Sequence, residues 1–143
     1  MKKQFAVVAL GLSLLAGCQS LQQKKPDTLY DELGGQAAIE KLVDNYIRDI
    51  SFDPELVQRF KDTNIKRLRT KLTEQLCNVS GGPCQYTGDS MKVVHHNMHI
   101  GEAEFNHFVE LLIKAMNQTG IDQRAQNRLL ARLAPMRRDI MDQ

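Results

Sequence analysis

Residues 38–50 read Ala38-Ile39-Glu40-Lys41-Leu42-Val43-Asp44-Asn45-Tyr46-Ile47-Arg48-Asp49-Ile50, and their spacing sets the fold class. The apolar residues, Ile39, Leu42, Val43, Tyr46, Ile47 and Ile50, recur at intervals of three, one, three, one and three. A strand would place alternate residues on one face. This pattern instead gathers every apolar side chain on one face of a helix, leaving the charged residues on the other.

The same period returns on both sides. Upstream, Thr28-Leu29-Tyr30-Asp31 has the form of a capping box, and Gly34-Gly35 stops the short helix that it opens. Downstream, Asp53-Pro54 offers a cap followed by a proline at the first helical position, opening a brief helix that reaches Phe60. A further helix from about Asn64 carries Ile65, Leu68, Leu72, Leu76 and Val79 on one side and ends at Gly81-Gly82-Pro83. Residues 85–90 read as a loop. A shorter element holds Met91, Val94, His95 and Met98. After Gly101, Phe105, Phe108, Val109, Leu112, Ala115 and Met116 form the stripe of a strong helix that stops at Gly120. Asp122 caps the last helix, whose stripe is Leu129, Leu133, Met136 and Ile140, and Pro135 should bend it. No stretch alternates long enough to argue for a strand, so the expected class is all-α.

The first residues have a different organisation. Met1-Lys2-Lys3, an apolar run from Phe5 to Leu15 and the sequence Leu15-Ala16-Gly17-Cys18 have the layout of an export signal. The run falls short of the roughly 20 apolar residues that a membrane-spanning helix needs. Ending at a cysteine, it resembles the lipobox of bacterial lipoproteins, which predicts a signal peptide at 1–17 and acylation of Cys18. A conventional signal with Cys18 as an incidental thiol is the alternative. Residues 19–27 are polar and aperiodic, a tether between anchor and domain, and the folded domain is expected at 28–143. Membrane attachment through lipid places that domain on the periplasmic or cell-surface side. Gln19, where an aspartate is associated with inner-membrane retention in some bacteria, points towards the outer membrane.

The chain's formal charge of +2 comes from 19 basic and 17 acidic side chains. Loss of Lys2 and Lys3 with the signal leaves 17 of each, and no basic stripe with interleaved aromatics remains, so nucleic acid is not an expected partner. Phosphate loops, nucleophile elbows and paired-carboxylate motifs are also missing from the sequence. Cys77 and Cys84 flank Ser80-Gly81-Gly82-Pro83. An oxidising compartment permits a disulfide between them, and geometry must decide it. Two cysteines alone make a poor zinc site.

All four histidines, His95, His96, His99 and His107, lie within residues 95–107. Continued helix would put His95 and His99 on one face near Met91, Val94 and Met98. A histidine there is either a satisfied core residue or a metal ligand, and a zinc pair lacks a third ligand of clear spacing.

The surrounding residues resemble the group I truncated haemoglobins. Leu29-Tyr30-Asp31-Glu32-Leu33-Gly34-Gly35, Ala38-Ile39-Glu40, Arg59-Phe60, Thr63-Asn64, Gly81-Gly82-Pro83, Tyr86-Thr87-Gly88, Met91-Lys92-Val93-Val94-His95, Ile100, Phe105 and Leu133-Ala134-Pro135 fall in family order. They cover about residues 28–141, almost without gaps. The resemblance implies a two-over-two helical sandwich around haem b, with His95 as the proximal ligand of the iron and the porphyrin held between the helices that carry His95 and Leu72. Phe60 matches the phenylalanine that packs on the ring. Met91, Phe105 and Met116 are either pocket wall or ordinary core. Tyr86 and Lys92 either reach the haem propionates or are a loop hydroxyl and a solvated lysine.

On the distal side, where many relatives carry a tyrosine and a glutamine, the gapless match gives Ile47 and Leu72, with Leu68 at the other distal position. Tyr46 lies one residue early, about 100° round the helix. Either the pocket is apolar, or a helix rotation brings the Tyr46 hydroxyl into it, or Tyr46 bonds elsewhere in the core. Nothing in the flanking spacing signals a slip, so the apolar pocket is preferred.

The expected function is reversible binding of a diatomic gas, oxygen first and nitric oxide or carbon monoxide next. The alternatives are a haem enzyme, acting as a nitric oxide dioxygenase or on peroxide, and a helical lipoprotein module without haem. An electron donor as partner is left open.

Overall fold

A computed structural model describes residues 28–141. The expected signal peptide, Cys18 and the tether lie outside them. Seven α-helices are present among the described residues: α1 (Leu29–Glu32), α2 (Gly35–Phe52), α3 (Ile65–Val79), α4 (Met91–Val94), α5 (Glu102–Thr119), α6 (Gln123–Leu133) and α7 (Arg137–Ile140). Two 3-10 segments, Val57–Phe60 and Ala134–Met136, interrupt them. The only β-type pairing among the described residues is an isolated bridge between Ile100 and Met141.

Local chemistry sets the ends of these helices. At α1, the Thr28 side chain accepts from the Asp31 N–H while the Asp31 carboxylate accepts from the Thr28 N–H. This reciprocal pair satisfies two amides left free by the first turn. Gly34 then turns the chain at φ 99°, a left-handed conformation that only glycine adopts freely. Asn64 caps α3 and Asp122 caps α6 in the same side-chain manner. Asp53 does open the next segment, accepting from the Glu55 and Leu56 N–H groups at 3.0 Å each. The brief helix expected there is a 3-10 turn, and it ends at Phe60 as its spacing suggests. At Pro135 the last helix breaks outright: α6 stops at Leu133, and α7 resumes beyond a 3-10 turn. Proline has no amide for the helical ladder, and its ring crowds the preceding turn.

The core forms where α2 packs on α3 and α5, with α6 closing against α1 and α3. Ile39, Leu42 and Val43 of α2 meet Leu76 and Cys77 of α3, Ala115 and Met116 of α5, and Leu129 of α6. A second cluster of Ile50, Leu56 and Leu111 fills the other end of α2, with Tyr46, Phe60 and Phe108 packed against it. Met116 is fully buried in the main cluster and is therefore core rather than pocket wall. Among the described residues no helix is long and apolar enough to cross a membrane.

Candidate functional site

Between the end of α2, the 3-10 turn and the start of α3 lies a cavity of about 320 Å³, lined by Ile47, Ile50, Val57, Phe60, Ile65 and Leu68, with Ser51, Gln58 and Lys61 completing the wall. Its size falls at the lower end of the roughly 300–1,000 Å³ typical of small-ligand sites. The helical stripe of α3 turns outward here: Ile65 is 45% exposed and Leu68 half-buried, whereas Leu76 on the same stripe is buried. An apolar face left open on one wall marks a ligand surface rather than failed packing.

Three of the expected distal and ring-packing residues, Ile47, Phe60 and Leu68, therefore share one cavity. Leu72 does not line it and packs on the main core. Phe60 is held edge-on to Phe108, with ring centroids 6.1 Å apart and planes at 78°. Tyr46 turns the other way. Its hydroxyl donates to the Phe108 carbonyl of α5 at 3.2 Å, and burial pushes its phenol well above the ordinary value, so the proton stays on and the bond persists. The hydroxyl is thus committed to helix packing, which leaves Ser51, Gln58 and Lys61 as the polar groups of an otherwise apolar wall.

The expected iron ligand belongs to α4. Ser90 caps it, and His95 is its C-terminal cap residue. The His95 Nδ1 lies 2.8 Å from the Met91 carbonyl oxygen. A carbonyl can only accept, so Nδ1 carries the proton of this bond, which leaves Nε2 as the nitrogen available to a metal. No protein group bonds Nε2 among the described residues. This is how a histidine ligand is prepared for a metal: one nitrogen held by a backbone carbonyl, the other free.

The expected face shared by His95 and His99 is not formed. α4 ends at Val94, and Asn97 and His99 adopt φ of 63° and 49°, which unwinds the chain. No group of three or more His, Cys, Asp or Glu side chains able to hold an ion occurs among the described residues, so the zinc reading finds no ligand set.

The other expected contacts divide. Met91 is half-buried, and its sulfur accepts from the Gln75 amide at 3.2 Å. Phe105 is half-buried beneath the Arg137 guanidinium, 5.5 Å from the ring centroid. The Tyr86 hydroxyl donates to the Asp89 carbonyl at 2.8 Å and closes over Gly88, so it serves the loop. Lys92 is exposed on the first turn of α4. Cys77 and Cys84 form a disulfide, with Cα atoms 5.7 Å apart.

Sequence reasoning passed over Val57, Gln58 and Lys61, which reach the cavity through a 3-10 turn that has no hydrophobic period. It also missed His107, whose Nε2 pairs with Asp53 Oδ2 at 2.7 Å and ties α5 to the corner preceding that turn. Their hydrogen bond raises the His107 pKa and lowers that of Asp53.

A single imidazole with its second nitrogen fixed, set in an all-helical fold with an apolar cavity, is the donor set of a haem-binding globin. Comparison with known proteins agrees. The family model for bacterial-like globins matches residues 28–142. Over 119 residues the chain is 31% identical to the group 1 truncated hemoglobin GlbN of Mycolicibacterium paratuberculosis, covering 83% of this chain and 88% of that protein. The GlbN of a Nostoc species is 31% identical over 115 residues, 80% of this chain and 98% of the relative. The Fe(III) form of truncated hemoglobin from Tetrahymena pyriformis superposes with a TM-score of 0.78 at 24% identity, covering 81% of this chain and 99% of that one.

The chain belongs to the bacterial-like globin family, and its fold is the two-over-two helical sandwich of the truncated haemoglobins. Its cofactor is haem b, which the residues present fit: His95 offers the iron one nitrogen, and Ile47, Phe60, Ile65 and Leu68 offer a porphyrin an apolar wall.

Proposed function

We propose that this chain is a lipid-anchored haem protein that reversibly binds a diatomic gas, oxygen first among them, on the extracytoplasmic side of a bacterial membrane. When bound, haem supplies an iron whose open coordination position takes up the gas. The protein's own part is to hold the ring and to set the polarity around it. His95 would hold the iron through its free nitrogen, Phe60 would pack on the ring, and Ile47 and Leu68 would keep water from the gas side.

The observation that carries the reading is the bond between His95 Nδ1 and the Met91 carbonyl, which frees Nε2 for the metal. Turnover of nitric oxide or peroxide would draw on a donor beside the gas. Tyr46, the nearest phenol in sequence, spends its hydrogen on α5, so binding is favoured over catalysis. For the location, the support is the Cys18 lipobox pattern and the Cys77–Cys84 bridge, which suits an oxidising compartment. Oligomeric partners and an electron donor form no part of the proposal.

The test is an absorption spectrum of the purified full chain, reduced, first deoxygenated and then exposed to oxygen and to carbon monoxide. A Soret band that shifts reversibly with each gas is expected, and His95→Ala should lose it. Absence of a Soret band after haem reconstitution, or unchanged haem binding in His95→Ala, overturns the reading. Labelling with radioactive palmitate, lost in Cys18→Ala, tests the anchor.

A further inference from the structure

The loop joining α3 to α4 is fastened to α3 by contacts that the gas cavity does not use. Lys71, Glu74 and Cys77 stand at helical intervals of three, so they share one face of α3. Cys77 is bonded to Cys84, and the neighbouring Asn78 amide donates to the Cys84 carbonyl at 3.1 Å. The Glu74 carboxylate accepts from Lys71 Nζ at 2.9 Å, from the Thr87 N–H at 3.0 Å and from the Thr87 hydroxyl at 2.8 Å. Lys71 also donates to the Thr87 hydroxyl. The Glu74 and Lys71 side chains are only 24% and 21% exposed, which limits screening by salt. The bond from Lys71, then those from Thr87, hold the Glu74 carboxyl down at about 2, so it remains charged.

These bonds matter because of what the loop delivers. Three residues after Thr87, Ser90 caps α4, and α4 is a single turn with no buried residue. Such a turn has no stability of its own. On the far side, the Arg59 guanidinium donates to the Met98 carbonyl at 2.6 Å while gripping the Glu104 carboxylate with its other nitrogens. The segment bearing His95 is therefore placed by what grips its two ends, together with the Gln75–Met91 contact and the packing of α4 on α7.

We infer that Glu74 and the Cys77–Cys84 bridge are positioning groups for the proximal imidazole, clamping the 84–90 loop to α3 and so setting how firmly the chain retains haem. The inference rests on His95 as the iron ligand.

The experiment uses the haem-loaded full chain and the variants Glu74→Gln and Cys84→Ser. Amide hydrogen exchange at Val94 and His95, whose N–H groups close α4, should speed up by about tenfold in Glu74→Gln, the size expected for loss of a bond to a charged group, and at least as much in Cys84→Ser, which removes a covalent tie, while α2 and α5 keep their protection. Haem transfer to a scavenging apoglobin should accelerate to a similar degree, and the iron–histidine stretching band of the ferrous protein should shift or broaden. Exchange and transfer rates within about twofold of the parent, with an unmoved stretching band, in both variants overturn the clamp. If Cys84→Ser fails to fold, Glu74→Gln decides, since it removes a charge and little volume. A chain whose haem uptake ignores His95 overturns the functional reading and the clamp together. Normal, His95-dependent uptake with unmoved exchange overturns the clamp alone.

Discussion

Replacing Tyr46 with phenylalanine separates two roles that one hydroxyl could play. In this structure the substitution removes the 3.2 Å bond to the Phe108 carbonyl and leaves the ring packed against Ile50 and Leu56. The acceptor belongs to α5, where helical geometry already supplies it with an amide four residues on, so no buried carbonyl is orphaned. The loss is then that of one neutral hydrogen bond, about 0.5–1.5 kcal/mol. For a domain of this size that corresponds to a fall in melting temperature of roughly 2–8 °C. Because the hydroxyl faces α5, the gas should not notice its removal. Stopped-flow measurement should find the oxygen dissociation rate within about twofold of the parent. If the hydroxyl instead donated to the gas, losing about 1–3 kcal/mol would speed dissociation roughly five- to hundredfold. That result, with an unmoved melting temperature, would refute the placement of Tyr46.

Other expectations come from the same geometry. Ile47→Tyr puts a donor into the cavity wall and should slow oxygen dissociation by about five- to hundredfold, measured in the same stopped-flow assay. Gly82→Ala would drive a Cβ to 2.7 Å from the Cys77 sulfur and against the Tyr30 ring; overpacking of this kind costs about 1–3 kcal/mol, readable by urea denaturation. The Asp53–His107 pair should make stability depend on pH. His107 has a raised pKa, so its contribution is complete below its ordinary 6.5 and fades as pH climbs through the folded value, while Asp53 contributes above its ordinary 3.8 and fades below it. The melting temperature of the parent should therefore exceed that of His107→Asn most between about pH 4 and 6.5 and converge with it at alkaline pH.

The fold was legible because its long helices carry an unbroken 3.6-residue period: Ile39, Leu42, Val43 and Ile50 of α2 and Leu112, Ala115 and Met116 of α5 sit in the core as their spacing requires. The family was legible through the ordered residues around His95, since a lone histidine beside Val94 and Met91 has an ordinary explanation in the core. Less could be read where the backbone leaves the helix. Asn97 and His99 take left-handed conformations that their side chains do not announce, so the pairing of His95 with His99 failed. The Tyr46 hydroxyl found a carbonyl on Phe108 that sequence distance conceals, and the Tyr86 hydroxyl turned back on Asp89 within an aperiodic loop. Periodicity ranks positions by face, but it cannot say which neighbour a polar tip will meet.

The single turn of α4 has a thermodynamic consequence. A segment this short gains little order from its own turn, so binding of haem through His95 would add to the contacts that already hold it at Ser90, Met91 and Met98. The melting temperature should then have no single value, and should climb with the concentration of free haem by mass action, by an amount equivalent to about 2.7 kcal/mol when haem stands at a hundred times its dissociation constant. In this protein, affinity for the cofactor and durability of the fold are two readings of the same equilibrium.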